Sequence, residues 1–194
     1  MNEELPNLIE QVHDIAEDAQ KTFGTLSAEQ LNWKPNADQW SVAQCLEHLI
    51  VSNAAFFPLI KKIANGEYRP SFRERLPLLP RFFGSVILGA VQPQAQRKFK
   101  AGPKFLPSSS AIDGNIVSRF KNQQQEVIEN MKMTQNLNLR KIIITSPVAS
   151  FATYSLLDAF RIVVAHEQRH LEQAKRVMKA EGFPKHEVRG AAAG

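Results

Sequence analysis

Apolar residues recur at helical spacing in four long stretches of the chain. From about Glu4 to Phe23 the stripe is Leu5, Leu8, Ile9, Val12, Ile15, Ala16, Ala19 and Phe23, one face of an amphipathic helix that Gly24 is expected to stop. The second stretch opens at Ser41, where Ser41 and Gln44 have the spacing of a capping box, and its stripe is Val42, Cys45, Leu46, Leu49 and Ile50. Gly66 ends it, and Pro58 predicts a kink or an early stop near Phe57, because proline lacks the N–H that an inner helical turn needs. The third runs from about Ala111 to Met133, with Ile116, Val117, Phe120, Val127, Ile128 and Met131 on the buried side and Gln123, Gln124 and Gln125 as a polar face. The fourth opens at Ser155 and Asp158, again with capping-box spacing, and runs to about Ala180 before Gly182 and Pro184 close it. Ser27 and Gln30 predict a further short helical turn after the first stretch.

Between these stretches the pattern breaks. Seven prolines (Pro58, Pro70, Pro77, Pro80, Pro93, Pro103 and Pro107) punctuate positions 58–107. Residues 68–110 therefore read as an irregular connection holding one or two short helices, of a length that is often functional. Leu137 to Phe151, with Ile142, Ile143, Ile144 and Pro147, reads as an extended loop or short strand. The whole predicts an all-α protein: a four-helix bundle with a long irregular, partly helical connection between helices 2 and 3. One domain is expected over residues 1–185, followed by a flexible C-terminal tail over 186–194.

Composition changes this picture little. The 194 residues are 43% hydrophobic and 22% charged, ordinary for a soluble globular domain with its own core. Cys45 is the single cysteine, so no intrachain disulfide forms and a reducing, cytoplasmic setting is expected. The start, MNEELPNLIEQV, lacks the basic residues and continuous apolar run of a signal peptide. Phe82 to Val91 is apolar but falls short of the ~20 residues a bilayer requires, and it reads as a buried or capping helix with no membrane role.

The net charge of +5 is unevenly placed. Arg69, Arg73, Arg75, Arg81, Arg97, Lys98, Lys100 and Lys104 face a single acid, Glu74, in the irregular connection. The bland reading is a solvated basic surface. The sharper one is attraction of an anionic ligand. No nucleic-acid motif accompanies it, so nucleic acid is not the expected partner.

The chemistry concentrates in three histidines. His166 and His170 stand four residues apart in the fourth stretch, and i and i+4 lie on the same helical face. Ile162, Val163, His166, His170 and Gln173 fall along one side, which points into the bundle. Buried imidazoles need partners for their ring nitrogens. One metal ion satisfies both, and His48, from the second stretch, can supply a third nitrogen. Three protein ligands leave a coordination position open, as in catalytic rather than structural sites. Taken singly, each histidine has the ordinary alternative of a core or boundary residue bonded to a neighbour. Cys45 stands three residues before His48 and is either a fourth ligand or a small core hydrophobe. Gln173 and Glu167 are candidates to orient an imidazole, with Glu167 equally readable as a solvated charge. Trp40 reads as a packing residue.

Two motifs carry a resemblance. The run Trp40-Ser41-Val-Ala-Gln44-Cys-Leu46-Glu47-His48-Leu49 resembles the W-S-x-x-x-x-x-x-H-L signature of the DinB-like (DinB/YfiT) superfamily. The run His166-Glu-Gln-Arg-His170-Leu-Glu-Gln173 resembles that superfamily's H-x-x-x-H-x-x-Q element. Both occur in the expected order, while residues 68–110 have no diagnostic match. The resemblance implies a helical bundle that binds one divalent metal, nickel or zinc, through His48, His166 and His170. It further implies a metal-dependent enzyme of the hydrolase or thiol-dependent transferase type acting on a small-molecule substrate, with a low-molecular-weight thiol as a candidate cofactor. The alternative is a non-catalytic metal-binding or stress-associated binding module on the same bundle. Homodimerisation through bundle faces is compatible with either.

Overall fold

Seven helices and one short hairpin carry these patterns in a computed structural model that describes residues 3–72, 74, 79–92, 103–108 and 111–184. Helix α1, Leu5–Phe23, buries Leu5, Leu8, Val12, Ile15, Ala16, Ala19 and Phe23, the stripe that its spacing predicts except for Ile9, which is half-buried. Gly24 follows it with right-handed dihedrals (φ −66°) and still bonds the Gln20 carbonyl. The short α2, Ala28–Asn32, and α3, Val42–Ala54, both begin on full capping boxes. At Ser41 the hydroxyl accepts the Gln44 amide at 3.1 Å, while the Gln44 carboxamide accepts the Ser41 amide at 3.1 Å. Two of the orphan amides at the helix start are thereby satisfied.

The break near Pro58 falls at Ala55–Phe56. Helix α4, Phe57–Ala64, then starts with Pro58 in its first turn, where no N–H is required. Gly66 closes α4 at φ +73°, a left-handed conformation that a side chain rarely adopts. Val42–Ala64 as one stretch is long and apolar enough to cross a membrane by composition. Here it is bent after Ala54, and its α3 half packs on the helices described next.

In the irregular connection lie α5, Leu79–Val91, and a 3-10 turn, Pro103–Phe105. Helix α6, Ile116–Met133, starts five residues later than its apolar pattern suggests. Asn32 bonds both backbone groups of Ile112, at 2.8 and 2.7 Å, and so holds that segment outside the helix. A second correction concerns the glutamine run: Gln123 and Gln124 are buried, and only Gln125 faces solvent. Strands β1, Ile143–Thr145, and β2, Thr153–Ser155, pair antiparallel with Ile144 opposite Tyr154. The Ser155 hydroxyl caps α7, Leu156–Met178, by accepting the Asp158 amide at 3.0 Å. The reciprocal half of that box is absent, because the Asp158 carboxylate accepts the Ser155 hydroxyl and Arg161 instead.

Helix α1 packs against α6 and α7, and α3 packs against the same pair from the other side. Helix α5 lies on α7 and β2, the capping position expected of Phe82–Val91. The core is continuous through Val12, Phe23, Leu46, Leu49, Phe120 and Phe160. Each such side chain contributes roughly 1.5–3 kcal/mol by leaving water. After α7, Gly182 turns the chain at φ +82°, Phe183 sets its ring edge-on to Trp33, and the Pro184 carbonyl accepts Gln30. The expected tail, 186–194, lies outside the described residues, as do Arg73, Arg75, Arg97, Lys98 and Lys100 of the basic segment.

Candidate metal centre

His48 comes from the second turn of α3, whose start is fixed by the Ser41–Gln44 box. His166 and His170 come from successive turns of α7, which packs directly on α3. The three rings meet: their centroids are 5.0 Å apart for His48 and His166, 4.7 Å for His48 and His170, and 4.6 Å for the α7 pair. One ring nitrogen from each lies within 4.8 Å of the other two. His48 and His170 are buried and His166 is half-buried.

The hydrogen bonds assign the nitrogens. His48 Nδ1 stands 2.6 Å from the Phe105 carbonyl oxygen, which only accepts, so Nδ1 carries the proton and donates. Its Nε2 is left with a bare lone pair, and that lone pair faces Nε2 of His166 at 3.1 Å. His170 Nδ1 is buried with no hydrogen-bond partner among the described residues. Neighbouring nitrogens bound to one ion at about 2.0–2.1 Å stand roughly 2.8–3.4 Å apart across octahedral and tetrahedral arrangements. The donor set, and the 3.1 Å spacing of its His48–His166 pair, fit a divalent cation.

Electrostatics keep the rings neutral, the form that ligates metals. Burial pushes His166 down to about 3, helped by charge repulsion from His48 and Arg169. The same causes, burial first and then His166, His48 and Arg169, hold His170 well below its ordinary value; Gln173, one turn further along, pulls the other way and least. His48 is lowered by burial, against the opposing Phe105 carbonyl. Arg169 itself donates to the Ala90 and Gln92 carbonyls at 3.2 and 3.0 Å. A cation is favoured at that C-terminal end of α5.

Other candidates land elsewhere. Cys45 is wholly buried in the core, and burial pushes its thiol up to about 12, so it behaves as a small hydrophobe and stands outside the histidine cluster. Glu167 is neither a solvated charge nor a partner of an imidazole. It is fully buried on the side facing α3 and α6, where its Oε1 accepts Asn53 Nδ2 at 2.6 Å. Burial pushes its carboxyl up to about 8, opposed by Asn53 and Gln124, so it is largely protonated at neutral pH. Trp40 does more than pack at the helix entry: it stacks on His170 and approaches His48 to 5.0 Å. An open groove of about 420 Å³ between α1, α5 and α7, lined by Asn7, Gln11, Gln92, Arg161 and Gln168 among others, includes none of the three histidines.

Phe105, Arg169 and Asn53 are the neighbours that spacing alone did not single out. Phe105 acts through its backbone carbonyl, which carries no sequence signal. Arg169 and Asn53 each occupy a helical position common to many surface residues.

The sequence model of the DinB superfamily matches residues 11–174, a span that includes all three histidines. No curated protein and no solved structure matches the chain significantly.

Proposed function

The chain belongs to the DinB superfamily, and from that premise and its buried histidine cluster we propose that it binds one divalent metal ion, nickel or zinc, through His48, His166 and His170. We read it as a metal-dependent enzyme of the hydrolase or thiol-dependent transferase type. The observation that carries this reading is the meeting of two Nε2 atoms at 3.1 Å, one of them a bare lone pair set by the Phe105 carbonyl.

When bound, a divalent cation supplies Lewis acidity and lowers the pKa of a water or thiol brought to it. The chain's own residues do the rest. His48 is held in one tautomer by Phe105. Trp40 covers the flank of His170 and limits water there. Arg169 places a fixed positive charge beside the α7 pair, which favours an anionic substrate or a thiolate at the site. A low-molecular-weight thiol suits a chain whose own thiol is buried, and such cofactors belong to a reducing cytoplasm.

One observation favours the alternative of a non-catalytic metal-binding module: His48 and His170 are only 5% and 9% exposed. Against it stand His166 and Trp40, which are half-buried and so keep part of their surface in solvent, as access for a small substrate requires. The test is to load the purified protein with nickel or zinc and assay ester hydrolysis and the transfer of bacterial low-molecular-weight thiols to an electrophile. Turnover that disappears in His166→Ala supports the enzyme. A fully loaded protein inert with water and every thiol leaves the binding module.

A further inference from the structure

Residues 103–108 lie across α3 directly over His48, and little apolar burial holds them there. Of residues 104–108, Lys104, Leu106 and Ser108 are exposed and Phe105 and Pro107 are half-buried. Four hydrogen bonds fix the segment to one face of α3. The Ser108 amide and hydroxyl donate to Glu47 Oε2 at 2.7 and 2.8 Å. Gln44 Nε2 donates to the Ser108 carbonyl at 3.0 Å, while the other end of the same carboxamide completes the helix cap. His48 Nδ1 donates to the Phe105 carbonyl at 2.6 Å. Positions 47 and 48 lie three and four residues, about one turn, after position 44 on that face.

We propose that residues 103–108 form a strap whose docking is thermodynamically linked to metal binding, with Glu47 as the positioning residue that clamps it. The inference rests on the reading of the triad as a metal site. Docked, the strap delivers the Phe105 carbonyl to Nδ1 and so presents His48 through Nε2. A cation on Nε2 withdraws electron density from the ring, which makes Nδ1–H a stronger donor to Phe105. Each event therefore favours the other, and by linkage the two effects are equal in size. The Glu47 carboxylate matters because it takes two of the four hydrogen bonds, and a charged acceptor makes the stronger kind.

The experiment titrates zinc and cobalt(II) into the wild type, Glu47→Ala, Glu47→Gln and Ser108→Ala, and follows hydrogen exchange of residues 103–108 with and without zinc. Glu47→Ala is expected to weaken metal binding by about 10-fold, within the range for losing a partner that orients a ligand, and to shift the visible spectrum of the cobalt form. Glu47→Gln retains a neutral acceptor and falls between it and the wild type. Ser108→Ala keeps the amide bond, loses less, and carries the test should Glu47→Ala fail to fold. Zinc is expected to slow exchange at Ser108 in the wild type and to do so less in Glu47→Ala. Equal affinity and an identical cobalt spectrum in wild type and Glu47→Ala overturn the proposal, even if the metal-free melting temperature falls. A wild type that takes up no zinc overturns the triad reading itself, an outcome distinct from loss of the strap.

Discussion

The indole of Trp40 lies stacked on the imidazole of His170, with ring centroids 5.6 Å apart and planes inclined by 18°. Trp40 precedes the α3 cap and His170 sits on α7, so the contact ties the entry of α3 to a histidine of the cluster on α7. Aromatic pairs of this kind contribute about 0.5–1.5 kcal/mol beyond their burial. Trp40→Ala should therefore weaken zinc binding up to about tenfold, and Trp40→Phe should recover most of it. Calorimetric titration of the three proteins checks this, and equal affinities would leave the tryptophan a packing residue only.

The buried Asn53–Glu167 bond makes a stability prediction. Asn53→Ala removes the 2.6 Å donor from a fully buried carboxyl, which should cost about 1–3 kcal/mol. Glu167→Gln preserves a neutral acceptor and should cost less. Denaturant unfolding at neutral pH measures both. An Asn53→Ala protein as stable as the wild type would contradict this account of the polar core.

Glu74 sets a pH dependence. Its carboxylate accepts the Thr145 amide at 2.7 Å and the Thr145 hydroxyl at 2.8 Å, tying the irregular connection to β1. Burial alone would raise its pKa, but the bonds from Thr145, Ser71 and Tyr68 outweigh burial and hold it below the usual carboxylate range. A depressed folded-state pKa contributes stability that is complete above the unfolded value, about 4.3 for glutamate. That stability is lost as the pH falls through the folded value. Wild-type stability should thus drop below about pH 4 more steeply than that of Glu74→Gln. Parallel slopes in acid denaturation would refute the tie.

Metal removal should be visible in thermal stability. A ligand that binds only the folded state stabilises it by about 2.7 kcal/mol at a hundredfold excess over Kd. Chelation should therefore lower the melting temperature of the wild type and leave that of His170→Ala unchanged. A chelator-insensitive wild type would speak against a bound ion.

The helices and the pairing of His166 with His170 on one helix face were legible because both are written in short-range spacing. The Ser27–Gln30 and Ser41–Gln44 boxes, the Pro58 break and the His166–His170 pair all depend on residues within one helical turn of each other. What spacing could not supply was long-range and polar. Gln123 and Gln124 look like a solvent face, yet Gln123 donates to the Ile50 carbonyl inside the bundle. Asn32 delays α6 through a partner 80 positions away. The Phe105 carbonyl reaches His48 across 57 positions.

Elemental analysis of protein purified without a metal-affinity step tests the central claim most directly. The triad predicts close to one nickel or zinc ion per chain in the wild type and its loss in His48→Ala, His166→Ala and His170→Ala. A wild type without metal, or metal content unchanged in those variants, would contradict it.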